Sequence, residues 1–78
     1  MLQLGERVRQ LRKVKKISRQ ELADRSGVPA PTLRKFEQTG IISLESLLKL
    51  VTILGRLEEF EQLLEPTDLE SKRHLFDD

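Results

Sequence analysis

Apolar residues recur along this chain at helical spacing, and nowhere do they alternate as a half-buried strand would. Leu4, Val8 and Leu11 share one stripe and predict a first helix over about Leu4–Lys15. Ile17 follows as an apolar plug between helices. Ser18-Arg19-Gln20-Glu21 reads as a capping box, in which hydroxyl and carboxylate satisfy free N–H groups reciprocally and open a second helix. Leu22 faces the core in that helix, and Ala23 is small where a neighbour must cross closely. Gly27 stands just past its end, where a left-handed conformation suits glycine. Val28 then turns the chain back inward. Pro31 fits the first turn of a third helix, Pro31–Gln38, and biases Ala30 away from helical angles, toward the cap.

Leu33 and Phe36 point inward from the third helix, while Thr32, Arg34 and Lys35 point elsewhere. A fourth helix is expected over Leu44–Leu54, with Ser43 as N-cap, Gly55 as stop, and a broad stripe of Leu44, Leu47, Leu48, Val51 and Leu54. A fifth, Leu57–Leu64, carries Leu57, Phe60, Leu63 and Leu64 and ends at Glu65-Pro66. Thr67-Asp68-Leu69-Glu70 makes a second box-like start. Residues 67–78 therefore read either as a short sixth helix bearing Leu69, Leu75 and Phe76 or as an unstructured tail. The expectation is an all-α fold, with one domain over residues 1–66 and a tail over 67–78.

Composition narrows the function. A chain of 78 residues makes one domain and buries only about 60–65% of its unfolded surface, so its core is marginal and oligomerisation is a common remedy. Without cysteine there are no disulfides and no Cys-based zinc site. The charged N-terminal stretch does not read as an export signal. The apolar-rich stretch 41–54 is too broken by polar residues to span a membrane. With no Trp or Tyr and three Phe, stacking on single-stranded bases is not expected. The net charge of +1 hides an asymmetry: residues 1–40 carry ten Lys/Arg and four acids, a balance of +6, whereas residues 41–78 carry four and nine, a balance of −5. One half suits a polyanion and the other repels it. A single histidine, His74, cannot supply a triad or metal site with so few companions, so no catalytic residue, metal or cofactor is expected.

Two short helices around a glycine turn, flanked by basic residues, have the layout of a helix-turn-helix. The first helix braces the DNA backbone and the second enters the major groove. At Arg19-Gln20-Glu21-Leu22-Ala23, Gly27-Val28 and Thr32-Leu33-Arg34-Lys35-Phe36-Glu37 the chain resembles the Cro and phage-repressor (Xre) helix-turn-helix family, over roughly residues 4–64. Phe36-Glu37-Gln38-Thr39-Gly40, Ile42-Ser43-Leu44-Glu45, Leu54-Gly55 and Phe60 are similar to a subgroup of short regulators, the antitoxin partners of Hip-type kinase toxins.

The resemblance implies a compact five-helix bundle of the lambda-repressor-like type. It also implies a cytoplasmic, nucleoid-associated homodimer that binds double-stranded DNA and regulates transcription, usually by repression. Its DNA contacts would come from Arg19, Gln20, Ala30, Pro31, Thr32, Arg34 and Lys35. Arg19 stands where relatives usually carry a Gln that touches the backbone, and its charge and forked donors suit a phosphate. Thr32 matches a phosphate-contacting hydroxyl, and Arg34 and Lys35 are the candidates for guanine. Ala30 and Pro31 offer only apolar contact, for instance with a thymine methyl. Arg12 and Glu37 match a family salt bridge joining the first and third helices. Leu57, Phe60 and Leu64 are candidates for a dimer or partner contact. The alternative is a protein-binding module whose acidic half, residues 57–78, takes a toxin partner while DNA binding serves autoregulation.

Overall fold

The computed structural model describes residues 2–69, and the regular structure among them is entirely helical: α1 Leu2–Val14, α2 Arg19–Ser26, α3 Ala30–Thr39, α4 Leu44–Ile53 and α5 Leu57–Gln62. The fold is all-α, as the hydrophobic spacing predicts. Residues 70–78, with Leu75 and Phe76 of the expected sixth helix, lie outside the described residues.

Local chemistry sets most boundaries. Past Val14, the Lys16 N–H reaches the Lys13 carbonyl and the Ile17 N–H reaches the Arg12 carbonyl, both at 3.0 Å. This closes α1 with Lys16 in the left-handed region, φ 58°. At α2 the Ser18 hydroxyl accepts from the Glu21 N–H at 3.0 Å. The Glu21 carboxylate does not complete the reciprocal box; it pairs with Arg25 one turn on, at 3.5 Å. Ser43 caps α4 by accepting from the Ser46 N–H at 3.1 Å. The far end of α4 closes through Gly55, φ 75°, with the Arg56 N–H on the Val51 carbonyl at 3.0 Å.

The cap of α3 falls on Pro29 and not on Ala30. Pro29 is extended (φ −57°, ψ 140°) and its carbonyl already accepts from the Leu33 N–H at 3.0 Å. Ala30 is therefore helical, and Pro31 occupies the second helical position, where its missing N–H would have had no partner. Helix α5 is shorter than Leu57–Leu64: its last turn tightens to bonds spanning three residues, Leu63 N–H to Phe60 and Glu65 N–H to Gln62.

The core is formed by Val8, Ile17, Leu22, Val28, Leu33, Phe36, Leu50 and Leu54, with Ala23 buried beside them. Two helices are rotated from the phase that their leucines predict. On α1 the buried positions are Gly5, Val8 and Arg12, while Leu4 is 43% exposed and Leu11 half-buried. On α4 the fully buried residue is Leu50, outside the predicted stripe, while Leu44 is 62% exposed and Leu48 half-buried. The inner face of α4 runs Leu47, Leu50, Val51 and Leu54, an i, i+3, i+4, i+7 set. The run Leu47-Leu48-Lys49-Leu50-Val51 is apolar almost all round, so periodicity alone does not choose between these faces.

Gly5 explains the rotation of α1. A Cβ at this position would press into the Phe36 carbonyl and sit 3.2 Å from the Glu37 Cα, so the α1 backbone approaches α3 as closely as a missing side chain allows. In an exposed helix, Gly→Ala stabilises by about 1 kcal/mol. Here the sign reverses: Gly5→Ala is expected to destabilise by about 1–3 kcal/mol, as overpacking does. Urea unfolding of the two proteins measures this, and a higher midpoint for the alanine variant would contradict the close approach.

Candidate nucleic-acid interface

The link between α2 and α3 occupies residues 27–29. Gly27 takes φ 79° and its N–H caps the Ala23 carbonyl at 2.9 Å. The Ser26 hydroxyl accepts from the Val28 N–H at 3.1 Å, and Val28 is buried. Ala23, also buried, lets α3 pack close across α2. This turn requires a residue that tolerates positive φ, a hydroxyl and a small apolar side chain, in that neighbourhood of sequence.

Helix α3 is divided lengthwise. Leu33, Phe36 and Glu37 are buried, and Pro31, Arg34, Lys35 and Gln38 are exposed. The exposed set repeats at i, i+3, i+4, i+7 and therefore forms one face. Together with Arg19, Gln20 and Ala30 these four line an open cleft of about 450 Å³. Six of the seven residues expected at DNA thus converge. Thr32 does not line the cleft and is half-buried. Gln38 does line it and was not among the expected contacts; its position seven residues after Pro31 and four after Arg34 was the available signal. The Gln20 amide donates to Asp24 Oδ1 at 2.9 Å, which holds that side chain along α2.

Behind the cleft lies an ionic cluster. Arg12 grips Glu37 with two parallel bonds, Nε to Oε2 at 3.0 Å and Nη2 to Oε1 at 3.2 Å. The third nitrogen of Arg12, Nη1, donates to the Ile17 carbonyl at 3.1 Å, at the turn into α2. Arg19 approaches the same carboxylate from the solvent side, Nε at 3.3 Å and Nη2 at 3.1 Å from Oε1. The Glu37 side chain is 1% exposed and that of Arg19 33%. Among the described residues no buried side-chain polar atom lacks a partner. Lys13, Lys15 and Lys16 are exposed at the end of α1 and do not line the cleft.

A second concavity has a mostly apolar lining. A groove of about 240 Å³ runs between α1, α4 and α5, lined chiefly by Leu4, Leu11, Leu47, Val51, Phe60 and Leu63, with Arg7 and Arg56 also lining it. Of the residues expected at a dimer or partner contact, Phe60 lines this groove. Leu57 is half-buried outside it, and Leu64 is 89% exposed. Among the described residues no helix is long and apolar enough to cross a membrane, and no group of His, Cys, Asp or Glu could hold a metal ion.

Two helices joined by a three-residue glycine turn, the second with one face buried and the other basic, define a helix-turn-helix DNA-binding domain. A family model described as helix-turn-helix matches residues 8–60, and the chain belongs to that family, in its Cro/cI-type form. The family is one of DNA-binding transcription regulators. Neither a curated protein nor a solved structure matches the chain.

Breaking the buried pair from one side strands the other charge. Glu37→Ala is expected to cost about 3–5 kcal/mol, whereas replacing both partners, as in Arg12→Met with Glu37→Met, is expected to be near neutral or stabilising. Thermal unfolding of the single and double variants checks the non-additivity. Equal melting temperatures for the two would show that the pair is not desolvated.

Proposed function

We propose that the protein is a sequence-specific regulator that binds double-stranded DNA as a homodimer on a near-palindromic operator, usually to repress transcription, in the cytoplasm and on the nucleoid. Residues 1–66 would form the DNA-binding domain and 67–78 an appended tail. The observation that carries this reading is the single exposed face of α3, Pro31, Arg34, Lys35 and Gln38, opening onto one cleft with Arg19. Arg34 and Lys35 would donate to guanine acceptors in the major groove. Ala30 and Pro31, without side-chain donors, would meet thymine methyl groups. Gln38, one turn further along, adds an amide able to pair with adenine or a backbone oxygen. Gln20, beside Arg19, and Thr32, flanking the face, would touch phosphates and set the register without reading sequence.

The apolar groove and the half-buried Phe60 support self-association through the surface of α1, α4 and α5. Two such copies would set their reading helices about 34 Å apart, one turn of duplex.

Duplexes selected from a random pool provide the test. Arg34→Ala with Lys35→Ala is expected to weaken binding to the selected duplex by about 30-fold or more, since each base contact contributes on the order of 1–3 kcal/mol of discrimination. Anisotropy titrations of both proteins measure it. Unchanged affinity, or equal binding to selected and random duplexes, would remove the basis for reading through α3.

The acidic half favours a second reading. Glu58, Glu59 and Glu61 are exposed on α5 beside the apolar groove, a combination suited to a partner protein such as a kinase toxin. A co-purifying partner that is lost on truncation after Pro66 would identify the protein as an antitoxin-like module that autoregulates its operon. A truncated protein that retains every partner of the full chain would exclude the tail from that role.

A further inference from the structure

Arg19 brings a second guanidinium to a carboxylate that already holds one. Glu37 is already neutralised by the two-bond grip of Arg12. With the two bonds from Arg19 the carboxylate accepts four, three on Oε1 and one on Oε2. The cluster of two guanidinium groups and one carboxylate therefore carries one unbalanced positive charge. No ion pair links Arg19 to any acid other than Glu37 among the described residues. A guanidinium has five N–H donors in a rigid plane. Arg19 uses its Nε side on Glu37, which leaves the Nη1 amino group and the outer Nη2 hydrogen as a second, unoccupied edge. Arg19 lines the open cleft, and a third of its side chain meets solvent (33%).

On the DNA-binding reading above, we infer that Glu37 is a positioning residue for DNA. It holds the Arg19 guanidinium by one edge so that the opposite edge stands as a ready pair of donors for one phosphate of the duplex backbone. An unheld arginine loses its rotamer freedom when it docks on DNA; Arg19 has lost much of it on folding, so the contact forms at lower entropic cost. A planar fork can hold a carboxylate on one side and a phosphate on the other. A lysine ammonium has no second edge: at this position it would be drawn to Glu37 and away from the phosphate. The phosphate contact thus depends on the shape of the cation as well as on its charge.

The test uses the full chain and a fluorescent duplex of about 20 base pairs, titrated over roughly 50–300 mM KCl so that the slope counts phosphate contacts. Arg19→Ala is expected to bind about 10-fold more weakly at low salt and to lower the magnitude of the salt slope by about 1. Arg19→Lys is expected to behave like Arg19→Ala. A lysine variant that restores wild-type affinity and slope overturns the positioning role. So does an alanine variant with the wild-type slope, in a protein that still responds to Arg34→Ala with Lys35→Ala. In the Arg12→Met, Glu37→Met background, provided circular dichroism shows it folded, Arg19→Ala is expected to cost less than about threefold, because the guanidinium is no longer held. A full 10-fold loss there also overturns the inference. If the wild type binds no duplex at all, the DNA-binding reading itself fails, a result distinct from these.

Discussion

The carboxylate of Glu37 is the point at which the scaffold and the reading helix are joined. It projects from the buried side of α3 and receives Arg12 from α1 and Arg19 from the start of α2. Arg12 also ties the Ile17 carbonyl at the turn between those two helices. Removing an ion pair from water costs several kcal/mol per charge, which only good geometry and full hydrogen bonding offset. Here the geometry is bidentate and no buried side-chain polar atom among the described residues is left unpaired. Leu33 and Phe36, both fully buried, seat α3 in the core, and the two-bond guanidinium–carboxylate contact adds a directional constraint on how the helix is rotated.

Close approach makes this possible. Gly5 brings the α1 backbone against Phe36 and Glu37, and Arg12, two turns further along α1, then reaches the carboxylate. Backbone contact and ion pair act two turns apart on the same interface. The remaining surfaces divide by chemistry. The cleft of α2 and α3 presents cations, and the groove of α1, α4 and α5 presents hydrocarbon, with the carboxylates of α5 beside it. A polyanion attracted to the first is repelled from the acidic half, which orients the domain before any specific contact forms.

The sequence made the turn at Gly27, the caps at Ser18 and Ser43, the stop at Gly55 and the five helices legible, because each depends on residues within a few positions of one another. The phase of α1 and α4 was less legible. Leucine periodicity counted Leu4 and Leu44 as core, whereas the packing chose Gly5, Arg12 and Leu50, two of which carry no apolar signal. The approach of Arg12 to Glu37 spans 25 positions and was implied only by the family resemblance. The attachment of Arg19 to that carboxylate, across 18 positions, had no local signature. Gln38 reads in sequence as the end of a helix, although the face shared by Pro31 and Arg34 passes through it.

The lengthwise division of α3 has a consequence for how such a protein changes its target. Leu33, Phe36 and Glu37 belong to the interior, and Pro31, Arg34, Lys35 and Gln38 take no part in the hydrogen bonds of the ionic cluster. The two sets interleave along ten residues yet answer to separate demands, one for shape and charge balance within, the other for whatever meets the cleft. Four positions can therefore be rewritten as a cassette while the remainder of the helix is held constant. Arg19, on α2, stands between the two sets: it bonds the Glu37 carboxylate with one edge and lines the cleft with the rest of its guanidinium.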